Sequence, residues 1–320
     1  MKFTKRSGSF GAIAVLLAAT AISAPFATAA PTAPVGNPVG SPGCGQAPTS
    51  SPGQTVDQTV TSGNDLRHYR LHLPADYQPE QALPVVLAFH GRKGDSSDIE
   101  AFSGIDALET IAVYPLGMLG EDDETAWQSA PYAAAVDDVQ FVRDLLDQVQ
   151  NTLCVDTDRI YATGKSNGGG FTALLACQLP ERIAAFATVA GAFYPGTTTG
   201  CASSPPVPYL DFHGTADTII NYDGGVSHGE PLPALTDWMA NWAQHNGCTD
   251  TASTGIGTDV VQFSWSGCAP GAPVVHYQIK DAGHTWPGEL VDSGPGSATQ
   301  TISATKIMWT FFADHPLSAR

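Results

Sequence analysis

Three polar residues far apart in this 320-residue chain could together carry out acyl chemistry: Ser166, Asp217 and His284. Ser166 lies in Gly164-Lys165-Ser166-Asn167-Gly168, after the β-rich run Arg159-Ile160-Tyr161-Ala162-Thr163 and before a helix-like segment at 172–177. Glycines on both sides let the backbone turn sharply, so that the hydroxyl stands exposed where strand meets helix. The turn also aims the Asn167 N–H at the oxygen that becomes negative when a carbonyl is attacked, and the helix N-terminus adds positive potential there. A Gly/Ser-rich loop capping a helix would share this composition. The strand before and the helix after favour the catalytic turn.

A serine needs a base, and the base needs an orienting acid. Downstream, Tyr209-Leu210-Asp211-Phe212-His213-Gly214-Thr215-Ala216-Asp217 reads as a strand running into a turn. Asp217 falls just past the strand end, where such an acid belongs. Asp211 falls inside the strand and reads as structural, and Asp223 is a rival slightly further on; an Asx-turn is the plain alternative for Asp217. The strand at 274–280 runs into Asp281-Ala282-Gly283-His284-Thr285-Trp286-Pro287-Gly288. His284 sits in a Gly-bounded loop, whereas His276 lies within the strand and His315 in the tail. An unshifted imidazole titrates near about 6.5, and a carboxylate partner is expected to raise that value. Val85-Val86-Leu87-Ala88-Phe89-His90-Gly91-Arg92 is the early strand whose following loop should supply a second oxyanion donor. The backbone N–H of Arg92 fits that role, with a solvated surface charge as the alternative for its side chain. His90 and His213 each precede a glycine at a strand end and read as hydrogen-bonding residues that shape the site.

The elements that must hold these groups alternate. Strands are expected at 68–73, 85–89, 111–114, 159–164, 185–189, 207–212 and 274–279, several of them continuously apolar, as parallel strands buried on both faces are. The clearest helix spans 136–153. Val139, Val142, Leu146, Val149 and Leu153 recur at helical spacing, and Asp137 and Asp138 favour its start. Further helices are expected at 235–244 and 302–313. The pattern implies βαβ units and a mostly parallel central sheet with helices on both faces. With the serine turn read as a nucleophile elbow and the order Ser, Asp, His, the fold class is α/β, resembling the α/β-hydrolases.

The first 29 residues read as a secretory signal peptide. Lys2, Lys5 and Arg6 form a basic start, residues 12–24 are apolar, and Ala27-Thr28-Ala29 is a cleavage site. Residues 30–54 read as a flexible Pro/Gly/Ser-rich leader and 55–320 as a single catalytic domain, exported and soluble. Loss of the signal leaves 11 basic residues against 31 acidic ones, a formal charge of −20. Such a surface argues against nucleic acid and anionic membranes as partners. The six cysteines remain, an even number in an oxidising compartment, and they show no C-x-x-C spacing. Three disulfides are expected and no metal site. Cys248 and Cys268 are the closest pair in sequence and bracket a Thr/Gly/Ser-rich segment that would otherwise be floppy, so they are expected to pair.

His90-Gly91, Gly164-Lys165-Ser166-Asn167-Gly168-Gly169, His213-Gly214-Thr215-Ala216-Asp217 and Gly283-His284-Thr285-Trp286-Pro287-Gly288 occur in this order. Together they resemble the secreted feruloyl esterase and polyhydroxybutyrate depolymerase group of carbohydrate esterases, over about residues 65–290. The run from Cys154 to Ser166 is most similar to the feruloyl esterase branch, which often has Gln where this chain has Asn167. The resemblance implies Ser166 as nucleophile, Asp217 as acid and His284 as base. It also implies Trp127 and Trp286 near the substrate, with core packing as the alternative for both, and a Cys177–Cys201 bridge; Cys44–Cys154 then follows by elimination. Acyl transfer through a serine needs no cofactor, and a monomer acting on a small ester or a feruloylated polysaccharide is expected. Polyhydroxybutyrate and acetylated xylan are alternative substrates, and a catalytically inactive binding module is the alternative of another class. The loops at 115–135 and 218–232 are expected to line the pocket.

Overall fold

Runs of apolar residues buried on both faces make the centre of a ten-stranded sheet in the computed structural model, which describes residues 38–320 apart from Leu290. The expected signal peptide and the start of the leader lie outside those residues. The strands are β1 (Thr55–Ser62), β2 (Asp65–His72), β3 (Leu83–Phe89), β4 (Ile111–Pro115), β5 (Val155–Lys165), β6 (Ala185–Val189), β7 (Tyr209–Gly214), β8 (Asp250–Ile256), β9 (Val260–Ser266) and β10 (Val274–Ile279). Their order is β1-β2-β4-β3-β5-β6-β7-β10-β9-β8. The six from β4 to β10 pair in parallel, and both margins are antiparallel.

Alternate residues of one strand face opposite cores, since strand side chains alternate. Val85, Leu87 and Phe89 join the core covered by α2 (Asp138–Thr152), α3 (Asn167–Gln178) and α4 (Leu235–His245). Val86 and Ala88 join the other, covered by α1 (Ser96–Ser103) and α5 (Ala304–Ala313). Each fully buried Leu, Ile or Phe contributes roughly 1.5–3 kcal/mol. The helices therefore sit on both faces, as expected. Helix α2 starts where the two aspartates stand. Asp137 is its N-cap and accepts from the Gln140 N–H at 2.9 Å, while Asp138 is buried in a 2.7 Å ion pair with Arg67.

In the main sheet and its covering helices, four elements depart from expectation. Strands β1, β8 and β9 and helix α1 were not anticipated. Strand β8 (Asp-Thr-Ala-Ser-Thr-Gly-Ile) is exposed along almost its whole length and carries no apolar alternation. The segment expected to be floppy is thus the β8–β9 hairpin. Its ends are closed by the Cys248–Cys268 disulfide, and Cys177–Cys201 and Cys44–Cys154 are the other two bridges. The second half of the expected leader is also docked. The Ser41 N–H donates to the Val155 carbonyl at 2.9 Å, the Gly43 N–H to Gln150 at 2.8 Å, and Cys44 is bridged to the start of β5. Backbone pairing and one disulfide outweigh a loop-like composition here.

Candidate active site

Ser166 stands between β5 and α3 with φ 57° and ψ −122°, a conformation that costs a non-glycine residue of order 1–3 kcal/mol. The surroundings enforce it. The Ser166 N–H donates to the Val189 carbonyl at 3.0 Å, and the Ser166 carbonyl accepts from Gly170 and Ala192. A Cβ on Gly168 would lie 2.1 Å from the Phe89 carbonyl oxygen, so only glycine permits β3 and α3 to close on the turn. Strain held by packing in this way is a mark of functional turns.

Asp217 and His284 arrive on the loops after the neighbouring parallel strands β7 and β10. The two loops are stitched together, the Ala216 N–H donating to the Ala282 carbonyl at 2.9 Å and the Thr215 N–H to Ile279 at 2.8 Å. His284 Nδ1 donates to Asp217 Oδ2 at 2.7 Å. Asp217 Oδ1 accepts from the Ile219 and Ile220 N–H groups at 2.8 and 2.9 Å. His213 Nε2 donates to the Ile220 carbonyl at 2.8 Å and lies 3.3 Å from Asp217 Oδ2. Burial would raise the Asp217 carboxyl, but its hydrogen bonds from His213 and His284 outweigh that and hold it well below the ordinary range. Ser166 and His284 line one cleft. Among the described residues no hydrogen bond joins them, as is common before a substrate tightens the site.

The rivals fall away on geometry. Asp211 and His276 are buried and paired with each other at 2.8 Å, and Asp223 is exposed. His90 Nε2 accepts from the Gly117 N–H at 3.0 Å, so its Nδ1 carries the proton and donates to the Gly91 carbonyl at 2.7 Å. Burial pushes His90 down to about 4. It is a neutral residue that shapes the loop.

Asn167 opens α3, where the first N–H groups have no intrahelical partner. Its side chain is occupied elsewhere, accepting from the Trp127 N–H at 2.7 Å and donating to the Trp127 carbonyl at 3.2 Å. Gly91 abuts the serine, for a Cβ there would lie 3.2 Å from Ser166 Cβ. The Arg92 N–H that follows makes no hydrogen bond among the described residues. The Arg92 side chain is not a solvated charge. It pairs with Glu124 at 2.7 Å and lies over the Tyr132 ring at 4.3 Å, beside His228.

Both tryptophans expected near the substrate are in the core. Trp127 is fully buried, donates from Nε1 to the His90 carbonyl at 2.9 Å and stacks between Phe141 and Phe171. Trp286 is buried against Phe102 and donates from Nε1 to Thr305 Oγ1 at 3.0 Å. Neither lines the cleft; both support residues that do. The lining also corrects the expected loops. Residues 115–135 contribute none of it and 218–232 contribute Ile219 and His228, while the rest comes from 90–102, Lys165, Ser166, His284 and 291–295. Lys165 has no role in the sequence reading, yet a charge ending the buried run 160–164 is a readable signal.

The titration of His284 differs from expectation as well. Burial is the dominant cause and disfavours the imidazolium; the Lys165 and His213 charges add to it, and Asp217 only partly opposes, leaving His284 at about 4. Neutral imidazole is the form that accepts a proton. If His284 is the base, kcat/KM is expected to stay level through neutral pH and to fall only as pH drops through about 4. A profile measured from about pH 3 to about pH 9 checks this, and an acid limb at or above the unshifted value of about 6.5 would contradict it.

The sheet order, the strained serine turn and the hydrogen-bonded Asp217 and His284 on adjacent later loops define an α/β-hydrolase fold. The family model named Esterase matches residues 61–254. The chain belongs to that esterase family and is a carboxylic ester hydrolase. It is 31% identical to feruloyl esterase B of Piromyces equi over 66% of its own length, a match that spans only 41% of that longer protein. It is 29% identical to feruloyl esterase C of Emericella nidulans, over 85% of this chain and 90% of the relative. Acetyl xylan esterase from Aspergillus awamori shares the fold, with a TM-score of 0.54 at 15% identity, over 81% of this chain and 99% of that one.

Proposed function

We propose that the protein is an exported serine esterase that releases hydroxycinnamic acids, feruloyl groups above all, from esters on plant cell-wall polysaccharide. His284 Nε2 takes the Ser166 Oγ proton as Oγ attacks the ester carbonyl. The N–H groups of Asn167 and Arg92 receive the oxyanion, and the imidazolium returns its proton to the departing sugar hydroxyl. Water, deprotonated by His284, then attacks the acyl-enzyme, and the imidazolium returns that proton to Ser166 Oγ as the acid leaves.

The observation that carries the substrate reading is the cleft beside Ser166. It has a volume of about 620 Å³ and an apolar wall of Ala101, Phe102, Ile219 and Val291. Ile219 and Val291 expose about half their surface (51% and 53%) in the cleft beside Ser166. An acetyl group would leave that wall wet, whereas an aromatic acyl chain would cover it. The three disulfides support export, since such bonds persist in oxidising compartments. Among the described residues no helix is long and apolar enough to cross a membrane.

The test is a comparison of kcat/KM on methyl ferulate, acetylated xylan and polyhydroxybutyrate. Methyl ferulate is expected to be preferred over acetylated xylan by at least about tenfold, the factor that one well-buried apolar group supplies. Faster turnover of acetylated xylan or of the polyester would overturn the substrate class and leave the mechanism standing.

A further inference from the structure

The residue before the serine is a lysine, and nothing in the proposed acyl transfer employs it. Lys165 ends β5 with only 5% of its surface exposed, yet it lines the cleft. Its Nζ donates to the Ser293 carbonyl at 2.7 Å and lies 5.9 Å from the centre of the Phe102 ring on α1. Ser293 belongs to the segment that folds back along the His284 loop. The His284 N–H donates to the Pro295 carbonyl at 2.8 Å and the Gly283 N–H to Ser297 at 3.0 Å, while Ser293 Oγ accepts from the Trp286 N–H at 2.7 Å. The returning segment is thus the scaffold of the base, and Lys165 is its tie to the serine turn. The tie is close to the imidazole-bearing residue. A Cβ placed on Gly294 would meet the His284 carbonyl oxygen at 2.5 Å and Lys165 Nζ at 3.0 Å.

We propose that Lys165 is a positioning residue: it clamps the His284 scaffold to the serine turn and places a fixed positive charge beside the imidazole. The inference rests on His284 being the base for Ser166. The carboxylates facing Lys165 are Asp217 from the β7 loop and Glu289 and Asp292 from the returning segment; those facing His284 reduce to Asp217, with Lys165 and His213 as the cations. Burial pushes Lys165 down to about 8, against the pull of those carboxylates. It is therefore still charged where His284 titrates. A like charge disfavours protonation of its neighbour, so the clamp holds the base neutral and keeps it active in acid.

Three variants separate the two effects. Lys165→Gln keeps a donor for the Ser293 carbonyl and loses the charge, Lys165→Met loses both, and Lys165→Arg keeps both. The readouts are the pH profile of kcat/KM and the melting temperature. In Lys165→Gln the acid limb is expected to move up by about one pH unit with the plateau retained. Lys165→Met should show the same shift and, because the base is less well held, a plateau at least about tenfold lower. Lys165→Arg should keep the acid limb of the parent. An acid limb unmoved in both neutral variants overturns the proposal, and Lys165→Gln alone decides it if Lys165→Met does not fold. A parent enzyme without any acid limb would instead defeat the assignment of His284 as base.

Discussion

Replacing Ser166 with alanine is expected to lower kcat by about 10⁵- to 10⁶-fold and to leave the fold intact. Loss of a nucleophile that acts with a base and an oxyanion site removes their joint effect, and only the binding and oxyanion contributions remain. The stability half of this expectation follows from the backbone. Ser166 is held at φ 57° by its N–H bond to Val189 and by the acceptance of Gly170 and Ala192 at its carbonyl, and none of these uses the hydroxyl. Alanine bears the same strain as serine at that φ, so it neither relieves nor adds to it. Hydrolysis of methyl ferulate by wild type and variant, with melting temperatures measured in parallel, checks both halves. Turnover within about tenfold of wild type in a folded Ser166→Ala protein would remove Ser166 from the mechanism.

The central strands were readable because burial on both faces leaves no room for polar residues, as in Val85-Val86-Leu87-Ala88-Phe89. The outer strands β1, β8 and β9 were not. Strand β1 (Thr-Val-Asp-Gln-Thr-Val-Thr-Ser) and strand β8 face water on one side or both, so Thr, Ser and Gln stand where a pattern would be. Helix α1 has only Ile99 and Phe102 as large apolar residues, and its readable signal was the Asp95/Asp98 capping box. Ser166, Asp217 and His284 each fall just past a strand end, and strand ends share one edge of the sheet, so chain order alone places them near one another. It could not say which way a side chain turns. Trp286 follows His284 by two residues and the Trp127 backbone bonds the Asn167 side chain, yet both indole rings are buried in the core. Nor could it register how deeply His284 is buried. An Asp partner was reason to expect a raised titration, and burial together with Lys165 and His213 reverses the sign.

Asp217→Asn tests the geometry of the base more sharply than any truncation. Asp217 divides its oxygens, Oδ1 accepting from the Ile219 and Ile220 N–H groups and Oδ2 from His284 Nδ1. An asparagine can satisfy the two backbone donors only by turning its carbonyl oxygen toward them. Its NH₂ then faces His284 Nδ1, and also His213 Nε2, whose own proton is engaged by the Ile220 carbonyl. A donor against a donor is relieved if His284 moves its proton from Nδ1 to Nε2, the nitrogen that must be free to take the serine proton. The side-chain shape is unchanged, yet the base is in the wrong tautomer, a defect that costs about 10⁴-fold in kcat in serine hydrolases of the same logic. Asp223, exposed and further along the same loop, supplies the control, since Asp223→Asn is expected to keep activity within about twofold. Measured kcat values for the two variants decide between the aspartates. Near-normal turnover in Asp217→Asn, or an equal loss in Asp223→Asn, would show that the hydrogen bond to His284 Nδ1 does not orient a catalytic base.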